Sequence, residues 1–110
     1  MKKLILTCLI ILFVIFSYAR ESVEDVAKWS KIDQKVHQII RCESRYQHEG
    51  LWGKADEYGI AQFKYETFYW LAKLAHREDL DWQLEKDQRW LLRWALENGY
   101  GRHWTCYKGG

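Results

Sequence analysis

A carboxylate occupies a position where the sequence pattern predicts an apolar side chain. Val36, Ile39, Ile40 and Glu43 lie at i, i+3, i+4 and i+7, which is the spacing of one face of a helix. An ionised carboxylate on an apolar face is costly unless it is paired, and burial raises the pKa of such a group. A carboxylic acid that keeps its proton near neutral pH is suited to general acid catalysis. Glu43 is therefore the first candidate catalytic residue.

The same pattern has a structural alternative. Glu43 could pair with Arg41 or Arg45, because ion-pair networks also perturb carboxyl groups without any role in catalysis.

The four histidines lack the spacing of metal ligands. We therefore expect neither a metal nor an organic cofactor. These histidines are His37, His48, His76 and His103.

The first 19 residues have the pattern of a secretory signal peptide. Lys2 and Lys3 precede an apolar run at residues 4–16, and the small residues Ser17 and Ala19 follow. This arrangement predicts cleavage after Ala19 and a secreted, periplasmic or cell-envelope location in a bacterium. The alternative is that the segment stays attached as an N-terminal anchor, although the run is short for a membrane span.

Residues 20–110 would form one small domain with balanced charge. Loss of Lys2 and Lys3 lowers the 17 basic residues to 15, which equals the 15 acidic ones. Nothing then favours a nucleic acid or a membrane surface as partner, and we expect a monomer. Cys42 and Cys106 are the two cysteines of this segment, and an even count in an exported domain predicts a disulfide between them.

Three longer helices, a short helix at residues 22–29 and a minor β element must position these residues. Asp33 is a candidate N-cap for a helix that ends near Tyr46, and helical spacing recurs from residue 63 to about residue 76. Asp81 is a candidate cap for a last helix that Gly99 would end. Residues 55–63 are compact and mostly apolar, which favours a turn or short strand. The predicted fold class is mainly α.

Several short motifs, taken in order, resemble a known family. They are Cys42-Glu43-Ser44, Tyr58-Gly59-Ile60-Ala61-Gln62-Phe63, Thr67-Phe68, Gln88 and Trp104-Thr105-Cys106. Together they resemble the lysozyme-like superfamily of soluble lytic transglycosylases, and within it the resuscitation-promoting-factor-like branch. The resemblance covers about residues 33–106 and implies a small α+β lysozyme-like fold that acts on peptidoglycan glycan strands.

The resemblance also implies roles for individual residues. Glu43 would be the catalytic acid and base, and Tyr58 and Gln62 would hydrogen-bond or pack against the glycan. Thr67 would lie near the groove, and Ser44 would support the end of the helix that carries Glu43. The implied reaction is cleavage of the β-1,4 bond between N-acetylmuramic acid and N-acetylglucosamine, with a 1,6-anhydro sugar as the product.

Alternatives to this reaction remain open. The later tyrosine motif of many lytic transglycosylases has no clean counterpart, and residues 98–101 echo it only loosely. A muramidase would use a second carboxylate for hydrolysis, and the candidates are Asp56, Glu57 and Glu66. A non-catalytic peptidoglycan-binding module and a structural protein of the envelope are the alternatives without catalysis.

Overall fold

Three α-helices form the framework of residues 29–108, which are the residues that the computed structural model describes. Helix α1 spans Lys31–Ser44, α2 spans Tyr65–Leu74 and α3 spans Glu85–Glu97. A short 3-10 helix, Gly101–His103, follows α3. The prediction of a small, mainly α domain is confirmed. The predicted signal peptide, residues 1–19, lies outside the described residues, and so do residues 22–28 of the predicted short helix.

Helix α1 buries the apolar face that its sequence predicts. Ile39 and Ile40 are each 1% exposed, and Val36 packs against the same core. Glu43, the fourth member of the face, is only half-buried, because the helix ends one residue later. Ser44 is buried instead, and its hydroxyl donates to the Ile40 carbonyl over 2.9 Å. The end of α1 thus places Glu43 between the core and the solvent.

The helix starts differ from the predicted caps. Asp33 lies inside the first turn of α1, where its carboxylate pairs with Arg93 of α3 and suits the positive end of the helix dipole. Asp81 lies four residues before α3, and its carboxylate accepts a hydrogen bond from the Gln83 N–H. The predicted stop is confirmed, since Gly99 follows the C-cap of α3 with a φ of +84°.

The predicted turn or short strand is a tight turn that carries isolated β bridges. Tyr58 forms isolated antiparallel bridges with Trp52 on one side and with Phe63 on the other. Gly59 within the turn has a φ of +85°, and a Cβ there would meet His48 and Gln88 at less than 3 Å. Glycine is therefore required both for its backbone conformation and for its lack of a side chain.

A buried glutamine joins this turn to α3. Gln88 is 0% exposed, and its Oε1 accepts the Ala61 N–H over 3.0 Å. Its Nε2 donates to the carbonyls of Tyr58 and Trp82, each over 2.8 Å. The amide thus satisfies three backbone groups that the core would otherwise leave without partners.

A buried histidine holds the other side of the turn. His48 Nδ1 accepts the Ile60 N–H over 3.0 Å, so the ring proton is on Nε2, which donates to the Gln83 carbonyl over 2.7 Å. From the C-terminal tail, the Trp104 indole N–H donates to the Ala61 carbonyl over 2.7 Å. Residues 58–63 are therefore fixed by side chains from three separate parts of the chain.

The core lies between the three helices and the turn. Its fully buried members come from every element, so no helix packs independently of the others. They are Ile39, Ile40, Ile60, Ala61, Phe63, Phe68, Leu71, Ala72, Leu91, Leu92 and Ala95. Across residues 29–108, no helix is both long enough and apolar enough to cross a lipid bilayer.

Candidate active site

A groove of about 410 Å³ runs past the C-terminal end of α1. Its walls come from α1, the loop and turn before α2, the start of α2, and the C-terminal tail. The lining residues are Glu43, Gly53, Lys54, Glu57, Gln62, Phe63, Lys64, Thr67, His103, Trp104 and Thr105. Three predicted site residues, Glu43, Gln62 and Thr67, therefore share one surface although they are distant in sequence.

The C-terminal tail holds the Glu43 carboxylate. Glu43 Oε1 accepts hydrogen bonds from the Cys106 backbone N–H over 3.3 Å and from the Thr105 hydroxyl over 3.4 Å. Both bonds end on the same oxygen. Among the described residues, neither bond involves Oε2, the second oxygen of the carboxylate.

A disulfide fixes this tail against α1. Cys42 and Cys106 are bonded, with their Cα atoms 6.0 Å apart and a sequence separation of 64, which confirms the predicted pair. Because Cys42 precedes Glu43 directly, the bond brings the Cys106 N–H to the Glu43 side chain. The disulfide thus positions the candidate catalytic group as well as closing the domain.

Gln62 presents a hydrogen-bond acceptor to the groove. Its Nε2 donates to the Gly59 carbonyl over 2.9 Å and to the Leu51 carbonyl over 3.3 Å. Two carbonyl partners require the amide nitrogen at that position, so the orientation of the amide follows from the network. Oε1 then lies over Gly53, where a Cβ would be 2.6 Å from it. Gln62 can accept a hydrogen bond from a hydroxyl or amide of a ligand.

A second carboxylate lies in the same groove. Glu57 Oε2 also lies over Gly53 and accepts the Ala55 N–H over 3.1 Å. Asp56 and Glu66 instead line a neighbouring pocket. Of the three carboxylates that the sequence offers as a second catalytic group, Glu57 alone lines the groove beside Glu43 within the described residues.

Two of the predicted site residues, Tyr58 and Ser44, lie behind the groove and do not line it. Tyr58 is 8% exposed, and its hydroxyl accepts the Gly50 N–H over 3.4 Å. Its ring packs between His48, Trp52 and Trp82. Ser44 is buried at the end of α1, as described above. In this geometry both residues support the groove from within the fold.

Sequence reasoning missed the basic side of the groove. Lys54, Lys64 and His103 line it together with the two carboxylates, so the groove carries both signs of charge. Neither lysine belongs to a motif. The loop brings the two lysines to the groove, and helical or strand periodicity does not predict the path of a loop. His103 was predictable, since it lies three residues before Cys106 and the disulfide draws that segment to Glu43.

Comparisons with known proteins identify no relative of this chain. No family model matches the chain, and neither the search of curated proteins nor the search of solved structures finds a match. The fold and the groove are therefore described by their structure alone. They define a small, mainly helical, disulfide-linked domain with a tail-anchored glutamate on the wall of a polar groove.

Proposed function

We propose that this protein is a lytic transglycosylase that cleaves peptidoglycan with Glu43 as its acid and base. The observation that carries the proposal is the anchored Glu43 carboxylate, with Oε1 held by the tail and Oε2 in neither of these two bonds. The acceptor on Gln62 and the hydroxyl of Thr67 line the same groove. These groups match the roles that the sequence resemblance implies.

The proposed reaction uses one carboxyl group twice. Protonated Glu43 donates its proton to the glycosidic oxygen while the bond from that oxygen to C1 breaks and positive charge develops at C1. The resulting carboxylate then removes the proton of the muramoyl 6-hydroxyl, whose oxygen bonds to C1. The enzyme returns to its protonated form, and the product carries a 1,6-anhydro ring. One carboxylate suffices because the substrate supplies its own nucleophile at high effective concentration.

The variant Glu43→Gln tests the proposal. Glutamine keeps the size of the side chain and its acceptor oxygen but cannot transfer the proton, so we expect release of soluble fragments to fall by about a thousandfold or more. Binding to insoluble peptidoglycan should persist. Glu78→Gln is the matched control, because Glu78 is exposed and does not line the groove. Equal turnover in both variants would contradict the proposal.

Glu57 supports a second candidate, a muramidase. In that reaction Glu43 protonates the leaving oxygen while Glu57 either activates a water molecule or attacks C1. Its presence in the groove is the specific observation in favour. If this candidate is correct, Glu57→Gln should abolish turnover, and the products should carry reducing muramic acid ends. A transglycosylase should retain most of its turnover in Glu57→Gln.

The proposed substrate also bears on location. Peptidoglycan lies outside the bacterial cytoplasm, so the proposed function requires export, and residues 1–19 provide the predicted signal for it. A non-catalytic binding module would share this location and this groove. It would differ in releasing no fragments, and that outcome in folded wild-type protein would favour the module.

A further inference from the structure

A second pocket, of about 320 Å³, adjoins the groove. Lys64 and Thr67 line both cavities, so a ligand in the groove can extend into the pocket at these two residues. The remaining lining residues are Trp52, Ala55, Asp56, Tyr65, Glu66 and Trp82. The proposed catalytic step uses none of them.

Three aromatic rings shape this pocket. Trp82 stands between the other two, with ring centroids 5.7 Å from Trp52 and 5.3 Å from Tyr65, and both meet it nearly at right angles. The Trp82 indole N–H donates to the Phe63 carbonyl over 2.9 Å, which fixes its orientation. Trp52 and Tyr65 remain 58% and 57% exposed. More than half of each residue is therefore accessible to a ligand, while Trp52 packs on Tyr58 and Tyr65 packs on Tyr69 inside the fold.

The charges around the rings favour a cation. Asp56 and Glu66 contribute two carboxylates against the single ammonium of Lys64, which leaves the lining with a net negative charge. Aromatic faces attract ammonium groups through the negative potential above the ring, and adjacent carboxylates add to this attraction. A neutral sugar would use the rings alone, and an anion would be repelled.

We propose that this pocket binds an alkylammonium group, and that its natural source is the side-chain amine of the diamino acid in the peptide stem of peptidoglycan. The assignment of the source rests on the proposed function, whereas the ammonium chemistry rests on the pocket itself. The stem is attached to the muramic acid residue at the cleavage site. A glycan strand in the groove therefore brings a stem close to Lys64 and Thr67.

A pair of probes tests this inference in the full protein. One is a stem tetrapeptide with the free side-chain amine of its diamino acid, and the other is the same peptide with that amine acetylated. The indole N–H signals of Trp52 and Trp82 are followed by NMR during each titration. We expect the free amine to shift both signals and to bind about tenfold more tightly than the acetylated peptide.

The double variant Asp56→Asn and Glu66→Gln supplies the matched control for charge. It keeps the shape of the pocket, and we expect it to bind both peptides equally weakly. Similar affinity for both peptides in the wild-type protein, or shifts caused only by peptide-free glycan, would overturn the inference.

Cleavage of peptidoglycan, measured in parallel, separates this inference from the proposed function. Amine-dependent binding without cleavage supports the ammonium pocket and contradicts the proposed transglycosylase activity. Cleavage without amine-dependent binding supports the transglycosylase activity and contradicts the ammonium pocket.

Discussion

Glu43 shows how the end of a helix can hold a carboxylate between core and solvent. The helical spacing that identifies it is correct for Ile39 and Ile40, yet the helix ends too soon for Glu43 to be buried with them. Its hydrogen-bond partners come instead from Thr105 and Cys106, about sixty residues later. Helical periodicity describes neighbours along one helix, so it predicts which residue is unusual but not what contacts it.

The most specific prediction for a single residue concerns Gln62. Its φ is +50°, so Gln62→Gly should relieve about 1 kcal/mol of backbone strain and offset much of the loss of its two side-chain hydrogen bonds. Stability should therefore change by no more than about 1 kcal/mol. Fragment release should fall about tenfold or more, because the ligand acceptor is lost.

His76→Gly is the control for the change of backbone. His76 has a φ of +56°, is exposed and follows the end of α2, so glycine there should stabilise the fold by up to about 1 kcal/mol. Turnover should equal that of the wild type. If both glycine variants release fragments at the same rate, the role assigned to the Gln62 amide is wrong.

Helices that follow an apolar periodicity are predictable from the sequence. Turns that depend on single long-range hydrogen bonds are less predictable. All three helices follow their apolar spacing. Asp81 does not cap α3, because residues 81–84 form a separate turn in which Trp82 reaches back to the Tyr69 hydroxyl and the Phe63 carbonyl. That turn depends on contacts across 13 and 19 residues of sequence, which no local pattern contains. The loop that carries Lys54 and Glu57 into the groove was unpredictable for the same reason.

Gln88 tests how the turn at residues 58–63 is held. Gln88→Leu keeps a similar volume but leaves the Ala61 N–H and the carbonyls of Tyr58 and Trp82 without their partner. Each buried group that loses its partner costs about 1–3 kcal/mol, so urea denaturation should show a loss of about 3 kcal/mol or more.

Gln38→Leu is the control for this change. Gln38 lies on the exposed side of α1, where the free energy of unfolding should change by less than about 0.5 kcal/mol. A loss that small for Gln88→Leu would show that the turn does not depend on the glutamine.

At the scale of the molecule, one covalent bond joins the first helix to the tail. The disulfide was predictable from the cysteine count, and it alone indicates that residues near Cys106 lie beside Glu43. Replacing both cysteines with serine should destabilise the domain by about 4 kcal/mol, because the bond spans 64 residues of sequence. Thermal unfolding of the wild type, with and without reductant, measures the same quantity.

The double serine variant also separates stability from catalysis. At a temperature where it remains folded, we expect its turnover to fall, because the Cys106 N–H and the Thr105 hydroxyl are no longer held against Glu43. Circular dichroism at the assay temperature establishes the folded fraction. Full turnover in a folded variant would mean that the tail contacts have no role in the reaction.

The most direct measurement is the chemical identity of the new sugar ends. Purified protein is incubated with peptidoglycan, and the soluble fragments are analysed by mass spectrometry beside those from Glu43→Gln and Glu78→Gln. We expect 1,6-anhydro-muramoyl ends from the wild type and from Glu78→Gln, and none from Glu43→Gln. Reducing muramic acid ends would contradict the transglycosylase and point to Glu57. Anhydro ends that persist in Glu43→Gln would contradict the central role of Glu43.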